Sequence, residues 1–256
     1  MNLPTFDKRL LANYKSASQI ARVLSEPWVS ENIRCPACGG ALARFANNTP
    51  LADLYCSKCA EQFELKSKSG AIGRKVSDEE YSTKIRRLQC NTNPNLMVLS
   101  YSLTDYSVTT LIAIPKYFFV PAIIERRAPL SSTARRAGWV GSNIILDKIP
   151  MSGKVSIITR GEAHTPSEVR KSWSSTSFLS SQTSIEKRGW ILDTLRCIER
   201  IPAREFSLEK VYSFEEELQS LHPRNTHIKP KLRQQLQVLR DLGQLEFLGG
   251  GKYRKK

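Results

Sequence analysis

The sequence predicts a mixed α/β domain with an embedded four-cysteine zinc site, followed by a winged helix-turn-helix domain. Two observations lead to this prediction: two Cys-x-x-Cys pairs in the first quarter of the chain, and three helical patterns before a basic, glycine-centred hairpin at its end. Between them, seven of the fifteen residues 172–186 are serine, which is typical of a surface connector. We therefore place the domains at residues 1–180 and 181–256.

The first domain is expected to mix helices and strands. Ser77-Asp-Glu-Glu80 has the pattern of a capping box that opens a helix with Tyr81, Ile85 and Leu88 on one face. In order, the predicted elements are a helix at about 18–25, a strand through Glu64, the helix after residue 80, and strands at 96–101 and 108–114.

The cysteine spacing predicts structural zinc. Cys35 and Cys38 form one pair, Cys56 and Cys59 form the other, and 17 residues separate the pairs, which is the spacing of four-cysteine zinc sites. Because such a site is closed, the ion is expected to stabilise the fold rather than to bind substrate. Disulfide bonds are the alternative, but the N-terminus does not resemble a secretion signal.

Three charged residues near the second cysteine pair suggest hydrolytic chemistry. Asp53 lies between the pairs, and Glu64 and Lys66 are two residues apart on the predicted strand, so their side chains share a face. Two carboxylates and a lysine are what metal-assisted phosphodiester hydrolysis requires, and Mg²⁺ suits such ligands. Pro50 precedes Asp53 by three residues. The alternative is an ordinary ion pair on a surface strand, and the spacing alone fits both.

The C-terminal pattern predicts a winged helix-turn-helix. Ser207 is expected to cap the second of three helices, and Pro230 to lie in the first turn of the third. Gly249-Gly-Gly251 then turns a short hairpin. The apolar residues expected to point inward are Trp190, Ile191, Leu195 and Ile198 on the first helix and Leu232, Leu236 and Leu239 on the third.

The charge distribution favours nucleic acid as the partner. The net charge is +15 with a pI near 9.7, and residues 224–256 hold nine Lys/Arg against two Asp/Glu. Residues 186–217 hold six Lys/Arg against eight Asp/Glu, so the positive charge gathers on the third helix and the wing. The alternatives are a solvated basic surface and a winged helix that binds another protein.

Candidate DNA contacts occur in both domains. Two arginines beside a tryptophan could clamp phosphate and stack on a base, although the tryptophan could equally be a core residue. Glutamines on the third helix could read adenine. The candidates are Arg135, Arg136 and Trp139 in the first domain, Lys231, Gln234 and Gln235 on the third helix, and Lys252 and Arg254 on the wing.

Other function classes find little support in the sequence. No run approaches 18 uninterrupted apolar residues, and no GxxxxGK[ST] phosphate loop is present. His164, His222 and His227 form no motif, and Cys90 and Cys197 fall outside the zinc pattern. We expect a cytoplasmic monomer without membrane association.

Several stretches occur in the same order as in a known family. They are Cys-Pro-x-Cys-Gly (35–39), Ala52-Asp53, Cys-x-x-Cys (56–59), Phe-Glu-Leu-Lys-Ser-Lys (63–68), Ala-Arg-Arg-Ala-Gly-Trp (134–139), Ser-x-Glu-Lys-Arg-Gly-Trp in part (184–190), Lys-x-Arg-Gln-Gln-Leu-Gln (231–237) and Gly-Lys-Tyr-Arg-Lys (251–255). On these residues the chain resembles the DpnI-type methyl-directed restriction endonucleases along nearly its whole length. The position of Pro50 departs from the Pro-Asp signature of that family but leaves its acid in place.

The resemblance implies a PD-(D/E)xK nuclease domain and a winged helix that each bind double-stranded G-A-T-C containing N6-methyladenine. Asp53, Glu64 and Lys66 fall on the catalytic positions, with Mg²⁺ held by Asp53, Glu64 and the backbone carbonyl of Leu65. The four paired cysteines fall on the zinc ligands, and Trp139 on a residue associated with methyl sensing. The alternatives are a zinc-containing winged-helix regulator without catalysis and a nuclease with another target.

Overall fold

The structure is a computed structural model that describes residues 3–11, 14, 16–46 and 52–256, so Pro50 lies outside it. Within these ranges no helix combines the length and the apolar character needed to cross a membrane. The helices and strands of the first domain are α1 (Ala17–Asn32), β1 (Leu42–Arg44), β2 (Leu54–Cys56), β3 (Gln62–Ser69), β4 (Lys75–Glu80), α2 (Tyr81–Gln89), β5 (Asn95–Tyr101), β6 (Val108–Ile114), β7 (Ile124–Arg126), β8 (Gly141–Ile145), β9 (Val155–Thr159), β10 (Glu162–Ala163) and α3 (Pro166–Ser174).

The described strands of this domain form a large sheet and a small one. The large sheet has the order β1-β2-β3-β5-β6-β9-β10, and the small sheet has the order β4-β8-β7. β3 and β5 are parallel, and the other neighbours in the large sheet are antiparallel. Parallel neighbours require a crossover connection, and β4 and α2 lie within this one.

The core lies on both faces of the large sheet. All seven residues of β5 are buried, and because side chains alternate along a strand they contribute to two different apolar clusters. Leu96 and Val98 belong to one cluster, and Met97 and Leu99 to the other. The neighbouring strand β3 is therefore fixed against a close-packed layer, which limits the movement of any side chain that it carries.

Two elements of the first domain differ from the sequence prediction. The first helix continues seven residues beyond its expected end, through Pro27, because Trp28 and Val29 are buried and the Trp28 indole N–H donates to the Pro4 carbonyl at 2.7 Å. The capping box predicted at Ser77 is wrong. Ser77 lies in β4, paired with Asn143 of β8, and the N-cap of α2 is Glu80.

The serine-rich connector is structured. The last residues of α3 lie within it, Trp173 contacts Phe63, and Phe178 contacts Phe118 edge to face. Leu179 is completely buried. These apolar side chains anchor the segment to the first domain, whereas the serines between them are largely exposed.

The second domain has the predicted winged-helix order. Its elements are α4 (Ile185–Glu199), β11 (Glu205–Ser207), α5 (Leu208–Tyr212), α6 (Glu215–Leu221), α7 (Ile228–Asp241), β12 (Leu245–Gly249) and β13 (Lys252–Lys255). The second predicted helix is divided into α5 and α6, and Ser207 caps α5 as expected by accepting from the Lys210 N–H. All three glycines of the turn have positive φ, and β11 extends the hairpin to three strands.

Candidate active site

One cleft collects the acidic and basic residues that the sequence singled out. Its volume is about 550 Å³, and it lies between α1, β3 and β4. Asp53, Glu64 and Lys66 all line it, together with Leu65 and with Glu26 of α1. The structure therefore brings together Asp53, Glu64 and Lys66, which the sequence singled out by the cysteine spacing and the alternation of side chains along a strand.

The backbone of Asp53 forms hydrogen bonds with the chain segments on both sides of it. Its N–H donates to the Phe63 carbonyl at 3.0 Å, and its carbonyl accepts from the Phe45 N–H at 3.0 Å. The carboxylate Oδ2 accepts from the Leu65 N–H at 2.7 Å. Since the N–H and C=O of one strand residue project to the same edge, the Leu65 carbonyl faces the same side as Asp53.

Glu64 and Lys66 lie on the same face of β3. The Lys66 ammonium is 2.6 Å from Glu64 Oε1, and the two side chains are 26% and 14% exposed, respectively. Burial raises the pKa of the Glu64 carboxyl. Burial would lower the pKa of the Lys66 ammonium, but the Glu64 and Asp78 carboxylates outweigh it and raise that pKa. Lys66 is therefore a cation held at the cleft.

Two buried residues that the sequence reasoning missed complete the charge cluster. Asp78 of β4 lies 2.9 Å from the Lys66 ammonium, and Lys84 of α2 lies 2.8 Å from the other Asp78 oxygen. Lys84 is also 3.5 Å from Glu64 Oε2. Their side chains are 0% and 1% exposed. No signal in the sequence pairs these residues with Glu64, because the contacts depend on how β4 and α2 fold back over β3.

Glu26 was also missed. It is half-buried on α1, and its pKa is raised by burial and by the nearby Asp53 carboxylate. Arg22, one turn earlier, lies 3.2 Å from it. A sequence-based signal for Glu26 would have required the full length of α1, since the predicted helix stopped at Ser25.

The four paired cysteines converge as the zinc prediction requires. Their sulfur atoms all lie within 4.8 Å of one another, with Cys35 to Cys59 at 3.7 Å and Cys38 to Cys56 at 3.4 Å. A tetrahedral site with Zn–S bonds of about 2.3 Å has S···S edges of about 3.8 Å. The cluster could therefore hold a structural zinc ion.

The two cysteine turns also connect to the cleft. A Cβ on Gly40 would stand 3.0 Å from the Cys56 sulfur, so the close approach of the two turns needs glycine there. Cys56 ends β2, which begins directly after Asp53 and pairs with β1 and β3. Fixing the cysteines therefore fixes the strand that presents Asp53.

The candidate DNA contacts of the first domain lie on an exposed loop. Leu130 N–H donates to the Trp139 carbonyl at 2.9 Å, which closes the loop at its base. Arg135 and Arg136 are exposed, and the Arg136 guanidinium lies 4.5 Å from the centre of the Trp139 ring. Trp139 is half-buried against Gly141, where a Cβ would come within 2.6 Å of the ring. Trp139 is thus neither buried in the core nor fully exposed to solvent.

The predicted contacts of the second domain occupy different environments. Gln234 is exposed, and the half-buried Lys231 donates to it at 2.8 Å. Lys252 is exposed on the wing, whereas Arg254 is paired with Glu205 and Glu246 at 2.9 and 3.1 Å.

The expectation that Gln235 lies outside the apolar face of α7 is wrong. Its side chain is only 4% exposed. Gln235 is three residues from Leu232 and four from Leu239, and residues at these spacings share one helix face. It therefore lies within the buried stripe.

Comparison with known families covers nearly the entire chain. Residues 1–182 match the Dam-replacing family, DpnI, and residues 186–255 match the Dam-replacing HTH domain. These matches confirm the resemblance inferred from the motifs and the predicted combination of a nuclease-type α/β domain with a winged helix. A restriction-type family and an HTH domain together support double-stranded DNA as the partner.

Proposed function

The chain belongs to the Dam-replacing family, and we propose that it is a Mg²⁺-dependent type II restriction endonuclease that cleaves double-stranded G-A-T-C containing N6-methyladenine. The observation that carries the proposal is the convergence of Asp53, Glu64 and Lys66 on one cleft. Asp53 reaches this cleft from the position just before β2, and ten residues separate it from Glu64 of β3.

The oxygen atoms at the cleft suit a hard divalent cation. Asp53 and Glu64 supply carboxylates, and the Leu65 carbonyl faces the same edge of β3. Mg²⁺ prefers such oxygen ligands and keeps several waters. When bound, the ion would activate water and neutralise charge on the scissile phosphate.

Lys66 has two chemical uses in this proposal. An ammonium beside the reacting phosphate stabilises the charge that develops in the transition state. The same group can orient the attacking water by hydrogen bonding. Both uses require a charged lysine at the cleft, and the carboxylates around it favour that state.

Zinc has a structural role in this proposal. Four cysteines leave no open position for substrate or water, so the ion would hold β2 and thereby Asp53 rather than take part in hydrolysis. Such sites contribute roughly 10–16 kcal/mol of apparent binding energy to folding.

We assign target recognition to two surfaces. The loop with Arg135, Arg136 and Trp139 offers cations beside an aromatic ring, and α7 with the wing offers Lys231, Gln234 and Lys252. Phosphate contacts set position, and contacts with base edges give specificity. Burial of one methyl group favours the methylated over the unmethylated target by only about 0.8 kcal/mol. If each domain binds its own methylated site, the two preferences multiply.

A plasmid digest tests the proposal. One plasmid is prepared in two forms, with and without adenine methylation at G-A-T-C, and each is incubated with Mg²⁺ and with EDTA. Cleavage of the methylated form alone, and only with Mg²⁺, is expected. Cleavage of both forms would refute the methyl requirement, and cleavage of neither would favour a DNA-binding regulator without catalysis.

A further inference from the structure

A closed ring of four charges lies at one wall of the cleft. Lys66 bridges Glu64 Oε1 and Asp78 Oδ1 at 2.6 and 2.9 Å. Lys84 bridges the second oxygens of the same two carboxylates, at 3.5 Å from Glu64 Oε2 and 2.8 Å from Asp78 Oδ2. Positive and negative groups alternate around the ring, and the formal charges balance.

The ring has an accessible half and a buried half. Glu64 and Lys66 line the cleft, whereas the side chains of Asp78 and Lys84 are 0% and 1% exposed. A buried ion is tolerated only when paired, since desolvation costs several kcal/mol per charge. Asp78 and Lys84 must therefore stay paired with each other, and the packing of β4 and α2 fixes their positions.

We propose that Lys84 is a positioning residue that keeps Lys66 at the cleft when Glu64 binds a divalent cation. This inference rests on the proposed nuclease function. Lys84 is paired with Asp78 and with Glu64 Oε2. Asp78 therefore remains oriented toward Lys66 when a bound cation neutralises the Glu64 carboxylate. The acidic partner that retains Lys66 is therefore Asp78, and Lys84 fixes Asp78.

Loss of the Lys84 charge has two opposite consequences. Lys66 becomes the sole ammonium of the ring, shared by two carboxylates, and is drawn away from a reacting phosphate. At the same time one positive charge is removed from the neighbourhood of Glu64, which favours binding of a cation there. Chemistry should slow while metal binding tightens. If Lys84 had only a structural role, its replacement would weaken both cleavage and metal binding.

Lys84→Met removes the charge with little change in shape. The Lys84 ammonium lies 5.6 Å from the centre of the Phe119 ring, so apolar contacts for a methionine are at hand. The matched control is Lys116→Met, because Lys116 is a half-buried lysine paired with Glu61 at 3.0 Å outside the cleft. Two further variants, Asp78→Asn alone and Asp78→Asn combined with Lys84→Met, test whether the two residues act together.

The experiment measures single-turnover cleavage of the plasmid at saturating Mg²⁺, and Mn²⁺ binding by calorimetry without DNA. K84M is expected to cleave at least about tenfold more slowly and to bind Mn²⁺ at least about threefold more tightly, whereas K116M matches the parent in both. Adding K84M to D78N should cause little further loss of rate. Unchanged rate and affinity in K84M, or a loss of both, would overturn the inference.

Two further arms separate the possible failures. If K84M does not fold, Lys84→Gln takes its place, because it retains hydrogen-bond donors but lacks the charge, with the same expected directions. If the parent protein cleaves no DNA, the proposed function fails, and the Mn²⁺ affinities still decide whether Lys84 opposes cation binding at Glu64.

Discussion

Gln235 is a polar residue on the buried face of α7, 4% exposed, and its Oε1 atom has no hydrogen-bond partner among the described residues. An unsatisfied buried acceptor costs roughly 1–3 kcal/mol. The neighbouring Gln234 is exposed, so the two adjacent glutamines lie in different environments.

Gln235→Leu should therefore stabilise the protein or leave its stability unchanged, with a gain of up to about 1–2 kcal/mol in the free energy of unfolding. Its affinity for methylated duplex should be preserved. Gln234→Ala should cost about 1–3 kcal/mol of DNA binding if that side chain reads a base. Chemical denaturation and fluorescence anisotropy measure the two quantities. A large loss of DNA affinity in Q235L would show that Gln235 contacts the target.

The same residues show where sequence reasoning reaches its limit. The inward leucines of α7 were predicted correctly because an apolar stripe reveals itself by period. Gln235 was misplaced because a polar side chain within that stripe gives no such signal. Asp78 and Lys84 were missed for a different reason, since their partners are fixed only by packing between distant segments.

The cysteine turns adjoin β2, which begins directly after Asp53, and we expect bound zinc to stabilise this strand. Cys56→Ser should lower the bound zinc well below one ion per chain, lower the melting temperature, and abolish cleavage. Metal analysis and thermal unfolding measure these effects. Cys90→Ser is the control, because Cys90 is an exposed cysteine outside the cluster and should change none of them. A C56S protein with full zinc content and activity would contradict the assignment.

α2 carries Lys84 and begins at the N-cap residue Glu80. Glu80 accepts hydrogen bonds from the side chains and N–H groups of Ser82 and Thr83, which lower its pKa from 4.5 to about 2. A lowered folded-state pKa means that the stabilisation is fully present above pH 4.5 and is lost as pH falls toward 2.

The stability difference between the parent and Glu80→Ala should accordingly be constant from pH 7 to about pH 5 and shrink at lower pH. Denaturant titrations at several pH values measure it, and comparing the two proteins at each pH cancels other acid-sensitive groups. A difference that stays constant down to pH 2.5 would show that Glu80 does not cap α2 as a carboxylate.

At the scale of the whole molecule, the two domains share one apolar cluster. Val98 and Leu96 of β5 belong to the same cluster as Trp190 of α4 and Leu236 of α7. The Arg188 guanidinium of α4 also donates to the Asn91 side chain at 3.0 Å. The high serine content near residue 180 predicted a surface connector and gave no sign of how closely its apolar residues pack.

The net charge of +15 predicts a strongly salt-dependent interaction with DNA. For a protein that contacts 6–10 phosphates, affinity falls by roughly 10³–10⁵ between 50 and 200 mM salt. Anisotropy titrations of unmethylated duplex should approach this range. An affinity that is independent of salt would exclude α7 and the wing as a phosphate-binding surface.

The proposed function depends on Asp53, Glu64 and Lys66 forming one hydrolytic site. The most direct test is single-turnover cleavage of methylated G-A-T-C duplex by D53A and K66A, with DNA affinity measured in parallel. Asp105→Ala, at an exposed turn between β5 and β6, is the control. The cleavage rate should fall by at least about 10³-fold in D53A and about 10²-fold in K66A, with DNA binding retained. Cleavage by D53A at the parental rate would show that Asp53 is not part of a hydrolytic site.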